Sequence, residues 1–313
     1  MKKLKSYLIL NLFFFSASLA KAQIYVANID GSGIEEVGSV PFDVASLSIS
    51  HDGKELLFVG RRTNTRGPSL DERRLFSMRI DGSKITQLSP NTGPEIVSAV
   101  FGPDGKHIVF EEFNAKGVSK IFSADRKWKH KKLIVEDGLR PRLNSSGDQL
   151  VFEKRPCQIF VSKSDGTEEH QLSGNPCAHS PSFDAANDKR ILYCEHSRDI
   201  VIVNLDGTKK RVLFDGNELV LITHPIFTPN GTQIIYGRPE RQWDLFIVNA
   251  DGSNSHELLS SPAVSSVNPV VSPDGKKLYF SRFSAERRAE FEKYLGLTEE
   301  TSNGRTRPQG QQP

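Results

Sequence analysis

Two kinds of hairpin alternate along the chain, and each kind occurs six times. The first kind is clearest at 269–282, where an apolar run leads into the turn Pro273-Asp274-Gly275 and a second apolar run follows. Proline presets φ for such a turn and glycine supplies a positive φ, so the chain reverses there. The turn recurs at intervals of 41 to 52 residues, at Asp52, Asp104, Ser146, Asn187, Asn230 and Asp274. This period predicts a repeat of four strands.

The second kind of hairpin has an Asp turn between β-branched strands, usually followed by Gly, as at 243–258. Its turns begin at Asp30, Asp81, Asp125, Asp165, Asp206 and Asp251. If the first kind supplies strands A and B and the second supplies C and D, the chain starts with CD and ends with AB. These two orphan hairpins can combine and close a ring, which removes exposed sheet edges. The predicted fold class is therefore all-β: a six-bladed β-propeller of four-stranded antiparallel blades over 23–283, with an open solenoid as the alternative.

The two ends of the chain have a different character. Residues 1–22 have a basic head, an apolar run and Ala20-Lys-Ala22, which is typical of a secretory signal peptide and too short for a membrane anchor. We therefore expect a periplasmic or secreted protein with no transmembrane segment after cleavage. At the other end we expect a short helix over 284–296 and a disordered tail over 297–313.

The charge of the chain gives no indication of a nucleic-acid partner. Residues 1–22 contain four lysines and no acid, which leaves 37 basic and 38 acidic residues and a net charge of about −1. The basic run 126–132 contains a Trp and falls at a C–D turn, where a solvated hairpin tip is the simpler interpretation. We expect a monomer that does not bind nucleic acid.

Ser-Pro-Asp-Gly-Lys-Lys-Leu-Tyr-Phe (272–280) and Leu-Phe-Ile-Val-Asn-Ala-Asp-Gly-Ser-Asn (245–254) resemble the WD40-like repeat of the TolB β-propeller family. The resemblance extends over about 23–282. It implies an exported protein with a role in envelope maintenance or translocation. TolB proteins carry an α/β domain before the propeller, whereas here the predicted signal peptide leads directly into the first strand.

In this family strand A is innermost, so polar residues at its start are expected at the mouth of a central channel. This mouth lies on the face that carries the B–C loops and D–A links, which we call the open face. The candidate ligand-binding residues are Ser46, Ser98, Arg140, His179, Ser180, His224 and Asn268. Convergent polar groups at a concave mouth favour a binding site, although such residues can also simply solvate a channel.

A second ring of charged residues is predicted at the ends of the B strands, on the same face. Its members are Glu112, Lys154, Glu195, Arg238 and Arg282. The following loop of the first blade adds five arginines, Arg61, Arg62, Arg66, Arg73 and Arg74. The excess of positive charge would suit an anionic ligand or an acidic partner surface, or it forms a solvated rim.

The three cysteines leave several alternatives open. Cys177-Ala-His179 and Cys194-Glu-His196 could together form a zinc site. A disulfide between Cys157 and Cys177 is compatible with the topology in an exported protein. Free thiols are the third alternative.

No motif of a hydrolase, zinc peptidase or phosphate-binding loop occurs in the sequence. Our first hypothesis is a protein without enzyme activity or cofactor that binds a protein partner or an envelope component through the open face. The alternative is a metal-dependent lyase or hydrolase acting on acidic oligosaccharide. Related propellers of the oligogalacturonate lyase type hold a divalent metal ion with histidines at the channel mouth. That resemblance would make His179 and His224 ligands and Arg140 a substrate clamp or proton-transfer group.

Overall fold

A computed structural model describes residues 23–38, 42–62, 73–114, 116–174, 177–213, 222–239 and 243–284. These residues form 24 strands in six sheets of four antiparallel strands each, which confirms the predicted six-bladed propeller. The described part of the chain contains no helix, and accordingly none that could cross a membrane. The predicted signal peptide and tail lie outside these residues, and Ser284 is the last residue of a strand.

The strands are numbered in chain order, and the blades in order around the ring. Blade 1 consists of β3 (Phe42–Ile49), β4 (Glu55–Arg62), β5 (Arg74–Arg79) and β6 (Thr86–Gln87). Blade 2 consists of β7 (Glu95–Phe101), β8 (His107–Phe113), β9 (Ser119–Asp125) and β10 (Lys132–Glu136). Blade 3 consists of β11 (Gly138–Leu143), β12 (Gln149–Lys154), β13 (Gln158–Lys163) and β14 (His170–Gln171).

The remaining blades repeat this arrangement. Blade 4 consists of β15 (Ala178–Phe183), β16 (Arg190–Glu195), β17 (Asp199–Asn204) and β18 (Arg211–Val212). Blade 5 consists of β19 (Thr223–Phe227), β20 (Gln233–Pro239), β21 (Trp243–Asn249) and β22 (His256–Leu259). Blade 6 consists of β23 (Val264–Val271), β24 (Lys277–Ser284), β1 (Gln23–Asn28) and β2 (Glu35–Glu36).

Blade 6 closes the ring as the order of the hairpins predicted. Its sheet order is β2-β1-β24-β23, and β1 pairs with β24 from Gln23 opposite Arg282 to Asn28 opposite Lys277. The first strands of the blades contact one another in the unbroken circle β3, β7, β11, β15, β19, β23 and back to β3. These A strands therefore surround the central channel.

The apolar core lies between neighbouring blades. Each B strand buries one aromatic ring at the same place in the repeat: Phe58, Phe110, Phe152, Tyr193, Tyr236 and Phe280. One cluster, for example, joins Leu192 and Ile200 of blade 4 to Ile234, Tyr236 and other residues of blade 5. Because every blade buries its two faces against its neighbours, the ring is held together by the same apolar contacts that stabilise each blade.

Side chains within the turns explain why the repeat is visible in the sequence. At the C–D turn of blade 5, the Asp251 carboxylate accepts hydrogen bonds from the Ser253 backbone N–H and hydroxyl, at 2.9 and 2.6 Å. Gly252 between them has φ +90°, which a side chain would disfavour. At the A–B turn of blade 6, the Ser272 hydroxyl donates to Asp274 at 2.6 Å and accepts from the Lys277 N–H at 2.9 Å. The turns thus depend on local Asp, Ser and Gly chemistry.

Candidate functional site

Every A strand breaks its pairing register, close to its start in blades 2 to 5 and near its middle in blades 1 and 6. In blades 3 to 6 the bulge contains a residue with positive φ followed by proline: Arg140, Ser180, His224 and Asn268, with φ between +48° and +56°. In blades 1 and 2 the break ends at Ser46 and Ser98. All six ring positions predicted from the sequence therefore lie at or beside a bulge. Left-handed non-glycine residues cost free energy and occur preferentially at functional sites.

Arg140 is held by a buried carboxylate from the next strand of its own blade. Its Nη1 atom lies 2.9 and 2.8 Å from the two carboxylate oxygens of Glu153, and the side chains are 17% and 4% exposed. Glu153 also accepts a hydrogen bond of 2.6 Å from the Ser180 N–H in blade 4. The Arg140 guanidinium is thus fixed at the junction of two blades.

Glu111 has the equivalent role one blade earlier. Its carboxylate accepts hydrogen bonds from the Arg140 N–H at 2.9 Å, from the Ser119 hydroxyl at 2.8 Å and from the Ser98 hydroxyl at 3.1 Å. Burial raises the pKa of Glu111, while these hydrogen bonds oppose that rise. Two carboxylates in successive blades therefore hold the bulge residue of the following blade.

His179 is enclosed by hydroxyl groups. Its Nδ1 atom lies 3.1 Å from the Ser180 hydroxyl and its Nε2 atom lies 2.9 Å from the Ser197 hydroxyl. Burial lowers the pKa of His179 to about 4, an effect that nearby Glu153 opposes. The imidazole is therefore neutral at pH 7 and is fixed in orientation.

His224 and Arg142 complete the inner cluster. Burial lowers the pKa of His224 well below the usual range, and Arg140, Arg142 and His179 lower it further. Burial and the charge of Arg140 lower the pKa of Arg142 to about 10. Since the arginines belong to blade 3 and His224 to blade 5, these groups influence one another across the channel. The cluster therefore combines two arginines with the two buried carboxylates of Glu111 and Glu153.

Asn268, Ser46 and Ser98 lie on the other side of the ring. The Asn268 side-chain amide donates to the Ala45 carbonyl of blade 1 and to the Ser281 hydroxyl, both at 3.1 Å. Ser46 is buried in blade 1, and Ser98 donates to Glu111. The predicted ring therefore has Arg140, His179, Ser180 and His224 in blades 3 to 5 and only serine and asparagine side chains in blades 6, 1 and 2.

The predicted rim residues have partners within their own blades. Glu112 pairs with Lys131 at 2.6 Å, Glu195 with Lys210 at 2.9 Å and Lys154 with Glu169 at 2.5 Å. The guanidinium groups of Arg238 and Arg282 lie over aromatic rings, 5.3 Å from Phe246 and 5.2 Å from Tyr25. The rim charges are therefore largely balanced or stacked.

The five arginines predicted for the B–C loop of blade 1 do not all lie in a loop, because Arg61 and Arg62 end β4 and Arg74 begins β5. Arg66 and the side chain of Arg62 lie outside the described residues. Arg73 forms an ion pair of 3.2 Å with Glu95, and Arg74 donates to the Asn91 carbonyl at 3.1 and 2.8 Å. A cleft of about 470 Å³ lies beside Arg74 and extends from Asn91 to Phe113.

Cys157 and Cys177 form a disulfide, with their Cα atoms 4.4 Å apart. It joins the B–C loop of blade 3 to the start of β15, next to His179. Cys194 is a buried thiol whose sulfur lies 3.4 Å from the Ile222 carbonyl oxygen. Cys177 is thus bonded to sulfur and does not share a zinc site with Cys194. Within the described ranges, no group of three or more His, Cys, Asp or Glu side chains is arranged to hold a metal ion.

The basic run 126–132 lies on the face opposite the open face and contacts the blades. Arg126 forms an ion pair of 2.6 Å with Glu55 of blade 1, and the Trp128 ring stacks on Phe110 with centroids 4.4 Å apart. Part of this run therefore supports the junction of blades 1 and 2.

Three residues of the inner cluster were not identified from the sequence: Glu111, Glu153 and Arg142. The repeat did contain a signal for the two glutamates. Both follow the buried aromatic residue of a B strand, where the other blades have Val59, Cys194, Gly237 and Ser281. An acid at a position that is otherwise apolar or small is unusual in a core strand, and it indicates a buried partner.

Comparisons with known proteins agree with the architecture. The family described as PD40, the TolB beta propeller domain, matches residues 10–220. A search of curated proteins finds no significant match. The fold is similar to a structure designated TolB from Agrobacterium tumefaciens, with a TM-score of 0.68, 17% identity, and 85% of this chain and 99% of that chain covered.

Two further solved structures are similar. TolB from Acinetobacter baumannii has a TM-score of 0.59 and 15% identity, over 86% of this chain and 66% of that chain. An oligogalacturonate lyase in complex with manganese has a TM-score of 0.55 and 14% identity, over 86% of this chain and 98% of that chain. At these identities the likeness concerns the fold alone. Because the family match extends over more than half of the sequence, the chain belongs to the TolB β-propeller family.

Proposed function

We propose that this protein is an exported binding protein that holds a protein partner or an envelope component against the open face of the propeller. The observation that carries the proposal is the hydrogen-bonded cluster formed by Arg140, Glu153, Ser180 and His179 at the channel mouth. The cluster presents polar groups from two blades in fixed positions. The bulged backbone that carries them costs conformational free energy, and the local stability of the strands does not account for that cost. Preorganised polar groups at a concave surface favour recognition.

The state of the histidine favours binding over proton transfer. A general base works best when its pKa is near the working pH. His179 has a pKa of about 4, and hydroxyl groups lie beside both of its ring nitrogens. A neutral imidazole in this environment acts as a fixed hydrogen-bonding group.

Two features support an extracytoplasmic location, in the periplasm or outside the cell. Residues 1–22 have the pattern of a secretory signal peptide. The Cys157–Cys177 disulfide is of the kind that persists in oxidising compartments. Membership of the TolB β-propeller family is consistent with a role in the cell envelope.

Capture of envelope proteins by the immobilised mature protein tests the proposal. We expect the double variant Arg140→Gln, Arg238→Gln to lose at least about tenfold in apparent affinity for the captured partner, because the open face loses two cationic hydrogen-bond donors. The matched control is Lys54→Gln, Lys276→Gln, which removes two charges at A–B turns on the opposite face. Circular dichroism verifies the fold of each variant. Equal capture by all three proteins would contradict the proposal.

The alternative of a metal-dependent lyase or hydrolase on acidic oligosaccharide requires a metal ion at His179 and His224. The surroundings fit such an ion poorly, because hydroxyl groups lie beside both nitrogens of His179 and two arginines lie near His224. Elemental analysis of protein purified without chelators, compared with His224→Ala, tests this alternative. One divalent ion per chain that is lost in the variant would favour the lyase.

A further inference from the structure

Arg142 differs in its partners from Arg140, the other arginine of the inner cluster. It lies on β11 two residues after Arg140 and is half-buried. Its Nη1 atom donates to the Pro141 carbonyl at 2.9 Å. Within the described part of the chain, no carboxylate forms an ion pair with it. A guanidinium has five N–H donors, so most of the hydrogen-bonding capacity of Arg142 is available.

The nearby acids are already committed to other groups. Both oxygens of Glu153 contact Arg140, and one of them also accepts from Ser180. The Glu111 carboxylate accepts from a backbone N–H and two serine hydroxyls. Arg140 and Glu153 therefore pair with each other, and both oxygens of Glu111 accept hydrogen bonds from groups other than the Arg142 side chain. Glu111 and Glu153 attract the charge of Arg142, but neither accepts a hydrogen bond from it, so its guanidinium can pair with an anion that binds beside it.

We propose that the channel between blades 3, 4 and 5 is a binding site for one carboxylate group of a ligand, with Arg142 as its counter-ion. This inference rests on the proposed function and specifies what the open face recognises. Arg140 and His224 lie close enough to Arg142 to interact with its charge, and Arg140 is oriented by Glu153. The ligand carboxylate therefore enters a site that already has a fixed wall.

The chemistry of the site selects a carboxylate over a phosphate. Within the described cluster, Arg142 is the arginine that forms no ion pair, and a single guanidinium suits the single charge of a carboxylate. The planar fork of a guanidinium pairs with the two carboxylate oxygens through parallel hydrogen bonds. A phosphate dianion would need a second available cation, but Arg140 is paired with Glu153 at 2.8 Å.

Titration calorimetry with small probes tests the site. The probes are succinate, inorganic phosphate, and the peptide N-acetyl-glycyl-glycine with either a free carboxylate or a C-terminal amide. We expect the carboxylate probes to bind more tightly than phosphate, and the amide not to bind. Tighter binding of succinate would indicate a small organic acid as the source of the carboxylate, and tighter binding of the peptide would indicate a peptide C-terminus.

Arg142→Gln provides the decisive comparison. It should weaken carboxylate binding by at least about tenfold, because the bidentate ion pair is lost. The control Arg79→Gln removes an exposed arginine at the end of β5 and should bind like the wild type. Unchanged binding by Arg142→Gln, or no carboxylate binding by the wild type, would overturn the inference.

A second measurement on the wild-type protein covers the case in which Arg142→Gln does not fold. Succinate should raise the melting temperature relative to sodium chloride at equal ionic strength, because a ligand that binds the folded state stabilises it. The absence of such a rise would also overturn the inference. Carboxylate binding without any partner capture would contradict the proposed function and support this site. Partner capture that is unchanged in Arg142→Gln would support the proposed function and show that this site does not recognise the partner.

Discussion

Individual side chains distinguish blades that otherwise repeat the same structure. At one position of the B strand, blades 2 and 3 have Glu111 and Glu153, where the other blades have small or apolar residues. Each glutamate holds the N–H of the bulge residue in the next blade, Arg140 or Ser180. The two glutamates that depart from the repeat thus hold a fixed polar cluster in one arc of the ring.

His179 should make the stability of the protein depend on pH. Its pKa is lowered in the folded state from 6.5 to about 4, so its contribution is fully present above pH 6.5 and is lost as the pH falls towards 4. Between pH 7.5 and 5 this loss is about 2 kcal/mol. We expect urea unfolding of His179→Gln to depend less on pH than that of the wild type by this amount. The exposed control His256→Gln should behave like the wild type, and identical pH profiles of all three proteins would disprove the assignment.

Among the structural elements, the hairpins can be predicted from the sequence more directly than the bulges. The Asp-Gly turns depend on side chains within two or three residues of one another, such as Asp165 and Thr167. The bulges depend on how an A strand pairs with its B strand, which alternation of apolar residues does not show. One local feature of the sequence indicated the bulges of blades 3 to 6, because proline cannot donate a hydrogen bond to the sheet. This feature is the proline that follows Arg140, Ser180, His224 and Asn268.

Two matched glycines test how strongly the C–D turns contact the neighbouring blade. Gly166 and Gly207 both follow Asp and precede Thr, with φ +87° and +78°. A Cβ atom on Gly166 would lie 2.3 Å from the Ile134 carbonyl oxygen of blade 2, whereas at Gly207 no described atom lies within 4 Å. Gly207→Ala should cost about 1–2 kcal/mol for its backbone conformation. Gly166→Ala should cost a further ~1–3 kcal/mol for the overlap.

The measurement is the midpoint of urea unfolding for the two variants and the wild type. A larger loss for Gly166→Ala would support close packing of this turn against blade 2. Equal losses would mean that the turn moves away at little cost, and the contact would then add nothing to the junction of the two blades.

The whole molecule depends on the pairing of its two ends. Strand β1 lies between β2 and β24, so blade 6 forms only when residues near 23 meet residues near 282. Ile24 of this strand is fully buried and packs with Leu47 and Phe58 of blade 1. The closing blade therefore also completes the core of its neighbour.

Closure should make β1 as important for stability as any central strand. Ile24→Ala should destabilise the protein by about 2–5 kcal/mol, since it leaves a cavity at the closing junction. The control Ile34→Ala removes the same atoms from a side chain that is 39% exposed, and it should change stability by less than about 0.5 kcal/mol. Thermal unfolding of both variants measures the difference. If Ile24→Ala were as stable as the control, the ring would not depend on this junction.

The number of blades, their four strands and the closure of the ring follow from the sequence, because turn chemistry and apolar periodicity act over a few residues and repeat at a regular interval. The ring of bulge positions from Ser46 to Asn268 could be located by counting from the turns. The partners of these residues could not be predicted in this way. Glu111 and Arg140 are 29 residues apart, and Glu153 and Ser180 are 27 apart, in different blades. Such contacts depend on register breaks and on the packing of neighbouring sheets. Only the tertiary structure therefore decides which charged groups pair, and it pairs Arg140 with Glu153 while Arg142 forms no ion pair within the described residues.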